Sequence, residues 1–358
     1  MGQKRKIHNR IGRSVLILPV STLLMISLWW FPQRLFNADY AFSLLLALLT
    51  AYVIVETNNT FQLIRVRSYM ISSVWLFGMA TMGMFHVFQS SLFAAFCLAV
   101  GYYLLFRTYQ QSQSVVDSFH AFFMLALGCL AYSPLLFVAP FFLWYLLVFL
   151  RALSFRSFCA ALVGFILPFW FWLGWMLWQN DFTSILAWKE GCLVVAKGCA
   201  FWEWHGTESI SFIGDRYGGM SLSDLISHVW CLLLLGILTL WTSVYYLFNS
   251  YDDKIRTRMM LYIYVFQAII IFTFALLSAV TFYFSGGEAG EDAFTCLPML
   301  LLSCAPLMAH YFTLCNTWTS FLMFFLILLL FLGLATCSLW PESVDFMINF
   351  VKTSPFIG

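Results

Sequence analysis

Apolar residues in this chain come in runs about as long as a bilayer is thick, and the charged residues are confined to the intervals between them. Near 14–31, 40–55, 70–88, 90–106, 118–132, 134–150, 158–178, 225–248, 259–284, 293–314 and 318–339 the sequence contains almost nothing that water would solvate. A helix that crosses hydrocarbon needs about 20 such residues. Of 358 residues 62% are hydrophobic and 9% charged, far from the charged quarter of a soluble domain. These features predict an all-α, polytopic transmembrane helix bundle of about eleven spans.

The cations supply an orientation. Threading the runs alternately through a bilayer from an inside N-terminus puts Lys4, Arg5, Lys6, Arg10, Arg13, Arg65, Arg67, Arg107, Arg151, Arg156, Lys254, Arg256 and Arg258 on the inner side. Only Arg34, Lys189, Lys197, Arg216 and Lys352 fall outside. Acids go the other way: of the 16, only Glu56, Asp117, Asp252 and Asp253 lie inside. Cytoplasmic loops carry the Lys/Arg excess, so the expectation is N-terminus inside and C-terminus outside. The corresponding segments are a basic cytoplasmic N-terminus (1–13), a seven-span bundle (14–178), an outer, periplasmic loop (179–224), a four-span bundle (225–339) and an outer tail (340–358). The first run ends in Leu28-Trp-Trp-Phe-Pro32 rather than at a small-residue cleavage site, so it reads as a retained span. Lys6 spoils the myristoylation pattern that Gly2 opens.

Several function classes lose support. A net charge of +2, with no basic stripe interleaved with aromatics, argues against a nucleic-acid partner. No Asp, Glu, Lys or Arg lies well inside a run, which removes the buried charge that proton-driven transporters and channels use. No half-chain repeat points to an inverted-repeat transporter. At the inner surface, Glu56 is expected to pair with Arg65 or Arg67.

Polar chemistry concentrates in the outer loop. In Phe201-Trp-Glu-Trp-His-Gly-Thr-Glu208, an extended backbone would put Glu203 and His205 on one face and Trp202 and Trp204 on the other. Glu203, His205 and Glu208 are therefore the candidate catalytic residues, as an acid/base pair beside flat aromatics that could stack on a sugar ring. The tryptophans also fit a plain interfacial anchor, and His205 with Glu208 could instead ligate a metal. Cys192 and Cys199 face the same compartment; on one helix they would be about 10.5 Å apart, so a disulfide requires Gly198 to break it.

The sequence names no cofactor. His86 with His228, and His120 with His310, are matched in depth, as a membrane haem or copper site would require, and Met79, Met82 and His86 share a helix face. Interhelical hydrogen bonding is the simpler use of these residues. Pro19, Pro140, Pro168, Pro298 and Pro306 fall inside runs and read as kinks without function, although the last two, beside Cys296, Ser303 and Cys304, could open a cavity.

Two stretches, Val116-Asp-Ser-Phe-His-Ala-Phe-Phe-Met-Leu-Ala-Leu-Gly-Cys-Leu-Ala-Tyr-Ser-Pro134 and Arg151 through Arg156 to Gly164 and Pro168, resemble a family of uncharacterised bacterial inner-membrane proteins. The shared pattern is an Asp-initiated helix ending in a Tyr-x-Pro turn, an Arg-flanked loop and a Gly-x-x-x-Pro span. The resemblance implies an inner-membrane bundle and transfers no catalytic residue. Envelope glycosyltransferases and O-antigen polymerases look similar in span count and outer loop, although the first outer loop, with Arg34 and Asp39, lacks the paired carboxylates of such enzymes. The functional expectation is cell-envelope handling of a lipid-linked glycan at the outer face. The alternative is a non-catalytic scaffold that binds other membrane proteins.

Overall fold

The computed structural model describes residues 11, 14, 16–30, 38–66, 68–86, 88–111, 114–179, 185–186, 222–284 and 294–339. Among these are eleven α-helices and no strand: α1 (Ile17–Trp30), α2 (Ala38–Phe61), α3 (Met70–Thr81), α4 (Ser90–Arg107), α5 (Val115–Ala131), α6 (Ala139–Val148), α7 (Phe155–Gln179), α8 (Leu222–Asn249), α9 (Ile255–Phe284), α10 (Leu297–Leu314) and α11 (Trp318–Leu339). Seven of them (α2, α4 and α7 to α11) are long and apolar enough to cross a membrane. The chain is thus compatible with a multi-pass integral membrane protein.

Helix α10 is the axis of the bundle. Every residue from Leu297 to Thr313 is buried, against α3, α4, α8, α9 and α11. A helix that is apolar all round can be enclosed by protein or bathed in lipid, and α10 is enclosed by protein. Helices α7 and α11 are as apolar as α10 but leave most of their surface open, with Trp170, Phe171, Trp175 and Trp178 of α7 exposed. Helix α7 is attached chiefly through α5, where Gly164 lies so close to the Phe119 backbone that a Cβ would collide with the carbonyl. Gly164 and the buried Pro168, singled out in the family resemblance, therefore serve helix packing here.

The third apolar run does not continue as a helix to Phe88. It stops at Thr81, and a 3-10 turn at Gly83–Phe85 reverses the chain toward α4. His86 closes this turn: its Nε2–H donates to the Ala80 carbonyl (3.1 Å), its own carbonyl accepts from Ser43 Oγ, and its ring lies on Trp29 with centroids 4.0 Å apart. The shared helix face expected for Met79, Met82 and His86 is absent because the helix ends between them. The prolines also divide. Pro140 and Pro298 sit in the first turn of α6 and α10, where no backbone N–H is required, and only Pro168 and Pro306 interrupt a helix interior. Ser303 and Cys304, which flank Pro306, are fully buried.

Candidate functional site at the cation-rich end

Successive helices run between two ends of the bundle, and side-chain contacts show which loops share an end. Arg65, after α2, meets Asp253, after α8, and Asp253 meets His310 near the end of α10. Gln110 N–H, after α4, donates to the Leu150 carbonyl, after α6. Arg256 lies over the rings of Phe61 and Tyr109. All seven described cations (Arg65, Arg107, Arg151, Arg156, Lys254, Arg256 and Arg258) belong to these loops or to the helix turns beside them. At the opposite end Ser43 touches His86, Phe42 touches Phe88, Thr295 donates to the Tyr132 hydroxyl, and the His228 ring lies against Phe294. Among the described residues these contacts thus gather the loops into two groups, and the described cations belong to one of them.

The best-built polar group in the described residues is a clamp of three charged or ionisable side chains from distant parts of the sequence. Its first part begins where α2 ends. Gln62 takes a left-handed conformation (φ 52°), and the Asn58 side chain spans the loop, donating to the Ser68 carbonyl (2.8 Å) and accepting from Ile64 N–H. These bonds hold Arg65 over the end of α8. There a 3-10 turn, Ser250–Asp252, brings Asp253 inward, with the Ser250 hydroxyl bonded to that of Tyr262 (2.8 Å). The Asp253 carboxylate is almost completely enclosed. Arg65 Nε lies 2.9 Å from one oxygen as an ion pair, and His310 Nε2–H donates to the other oxygen at 2.8 Å. Tyr246 of α8 packs edge-on to the His310 ring, centroids 4.9 Å apart. Low polarity around the pair strengthens each bond and penalises the loss of either partner.

An Asp–His pair suggests acid/base catalysis, but its surroundings do not serve it. His310 is buried, and its Nδ1 has no hydrogen-bond partner among the described residues. Proton transfer needs a substrate within hydrogen-bond reach, and only 4% of this residue is exposed. The group instead ties the α2–α3 loop and the α8–α9 loop to the central helix.

Other sequence expectations are altered. Arg65 pairs with Asp253 rather than Glu56, Glu56 accepts from Thr60 Oγ1 at 3.2 Å, and Arg67, the other expected partner of Glu56, lies outside the described residues. The reason is position: Glu56 lies in the exposed final turns of α2, five residues before the helix ends, whereas the loop turns Arg65 toward α8. His120 and His310 share a depth but not an environment, His120 being exposed beside Phe119 and His310 enclosed. Among the described residues no three of His, Cys, Asp or Glu converge on one point. Glu203, His205, Glu208, Cys192 and Cys199 lie outside the described residues.

Sequence reasoning missed Asp253 as the centre of the clamp. The signal was present: Asp252 and Asp253 are acids in a short interval on the side that otherwise collects cations. It also missed Gln267, fully buried in α9, whose Oε1 accepts from the Tyr145 hydroxyl at 3.0 Å and so links α6 to α9. The chain matches no protein-family model, no curated protein and no solved structure.

Proposed function

We propose that this chain is an eleven-span protein of the bacterial inner membrane, with its cation-rich end in the cytoplasm, and that it handles a lipid-linked glycan at the outer face through residues 179–224. The observation that carries the reading is the separation of the two ends. Helix α7 leaves the cation-rich end and is 25 residues long, about 37 Å at 1.5 Å per residue. Gln179 and the start of α8 therefore both lie at the end opposite the described cations, which supports assigning the intervening segment to that side. The positive-inside rule makes that side periplasmic. Within the segment, Glu203 and His205 supply the acid/base pair, Trp202 and Trp204 the sugar platform, and Glu208 a further carboxylate. The likeness to inner-membrane proteins in 116–168 supports the location.

The test is complementation of an envelope phenotype at equal protein abundance. Glu203→Gln and His205→Ala should abolish it, because each removes a proton-transferring or hydrogen-bonding group while the helices stay intact. Full complementation by the double variant would refute the catalytic assignment. A second reading, a scaffold for other membrane proteins, is favoured by the exposed aromatic face of α7. On that reading Trp202→Ala and Trp204→Ala are the damaging changes. They would lower abundance through lost interfacial burial of about 1.5–3 kcal/mol each.

A further inference from the structure

Five cations at the clamp's end of the bundle take no part in it. Arg65 and Arg107 are matched by Asp253 and Asp117, whereas among the described residues Arg151, Arg156, Lys254, Arg256 and Arg258 have no acidic partner. Contacts between three loops join these five into one patch. The Arg256 guanidinium lies 5.4 Å from the ring centroid of Phe61 and 6.0 Å from that of Tyr109. Gln110, next in the chain, donates its N–H to the Leu150 carbonyl at 2.9 Å, and Arg151 follows Leu150. Gln110 and Arg151 both take a left-handed backbone (φ 57° and 51°), uncommon for residues other than Gly, where the two loops meet. Ser157 Oγ donates to the Ala152 carbonyl at 3.1 Å, which holds the first turn of α7, and Arg156 with it, to the same loop. Lys254 and Arg258 flank Arg256.

This placement does not serve the helices that carry it. Arg156, Arg256 and Arg258 lie in the first turns of α7 and α9, where there is no acid and where the helix dipole disfavours a cation. Of the described acids at this end, only Glu56 and Asp252 are left to offset the five. The neighbours of the cations select the anion that would. Phe155, Tyr251 and Ile255 are 83%, 71% and 61% exposed, and each stands within three residues of one of these cations. Exposed apolar side chains interleaved with Arg and Lys suit the boundary between lipid headgroups and hydrocarbon. A soluble acidic protein would meet the charges but offer those side chains no hydrocarbon.

We propose that this patch binds an anionic phospholipid of the adjoining leaflet, with Arg151, Arg156 and Arg256 facing the headgroup phosphate and Phe155, Tyr251 and Ile255 the upper part of the acyl chains. The proposal rests on the membrane reading but not on the glycan assignment. Clustered cations beside a span attract such headgroups, and the attraction grows with each Arg or Lys near the surface.

The full chain purified in neutral detergent would be titrated with phosphatidylglycerol and with phosphatidylcholine of the same acyl composition, and bound lipid counted by native mass spectrometry. The wild type should retain phosphatidylglycerol at about tenfold lower concentration than phosphatidylcholine. The triple variant Arg151→Gln, Arg156→Gln, Arg256→Gln should bring phosphatidylglycerol to the phosphatidylcholine level. Glutamine already holds the left-handed backbone at position 110, and should the triple variant still fail to fold, Arg156→Glu alone, at an exposed position, should weaken phosphatidylglycerol binding at least about threefold. Arg107→Gln, which removes a cation already matched by Asp117, should change it by less than about twofold. Phe155→Ser with Ile255→Ser leaves every charge in place and should still weaken retention of both lipids. Equal retention of the two lipids by the wild type, a preference that survives the charge variants, or retention unchanged by the Phe155 and Ile255 changes would overturn the proposal. Displacement of bound phosphatidylglycerol by an equal concentration of glycerol phosphate or of polyglutamate would also overturn it, by assigning the patch to a soluble anion. Alkaline extraction of membranes separates the two readings: loss of the protein from the membrane pellet refutes membrane integration, whereas a retained protein without lipid preference refutes only the patch assignment.

Discussion

Asp253→Ala tests the clamp at the cation-rich end, and the structure sets its cost. The substitution leaves His310 Nε2–H in a buried position without its charged acceptor, a loss of about 1.5–3 kcal/mol for a hydrogen bond to a charged group. Arg65 is 43% exposed, so its freed guanidinium turns into water, and its share is about 0–1 kcal/mol. The sum is about 1.5–4 kcal/mol for Asp253→Ala, against no more than about 1 kcal/mol for Arg65→Gln. His310→Ala should cost nearly as much as Asp253→Ala, because it strands a carboxylate whose side chain is only 1% exposed. The Asp253→Ala, His310→Ala double variant should then recover about 1.5–3 kcal/mol relative to the sum of the singles. Equilibrium unfolding in mixed micelles titrated with SDS, followed by tryptophan fluorescence, reads all four values. Additive single variants, or an Arg65→Gln as damaging as Asp253→Ala, would refute the argument that burial of the His310 bond dominates.

Two further outcomes follow from other parts of the bundle. In a background with Cys192 and Cys199 replaced by Ser, an impermeant thiol reagent added outside intact cells should label Thr207→Cys and leave Arg256→Cys untouched; the opposite pattern would invert the whole orientation. Gly164→Ala drives a methyl into the Phe119 backbone, which cannot rotate aside as a side chain would, so α5 and α7 must separate at a cost of about 1–3 kcal/mol. The same unfolding titration measures it, and a loss below about 0.5 kcal/mol would show that the two helices slide apart freely.

The all-helical class was legible in the chain, because it depends on local quantities. Each apolar run contains one α-helix of the described residues, and the described cations mark one set of loops. Helix limits were less legible where a side chain acts on its own backbone: the third run stops at Thr81 because a 3-10 turn, closed by His86, reverses the chain. Periodicity could not show which apolar helix would be enclosed, since α7, α10 and α11 read alike and differ only in how many neighbours the fold brings to them. Nor could it choose a partner for Arg65. Glu56 is nearer in sequence, but a salt bridge is decided by distance in space and by burial. Only the packing of the α2–α3 loop against α8, α9 and α10 puts Asp253 within 2.9 Å of Arg65 and within 2.8 Å of His310. Hydrophobicity sorts segments between water and hydrocarbon one residue at a time, and so the sequence alone determined a bundle of apolar helices compatible with a membrane. The clamp depends on side chains hundreds of residues apart and was decided by tertiary structure alone.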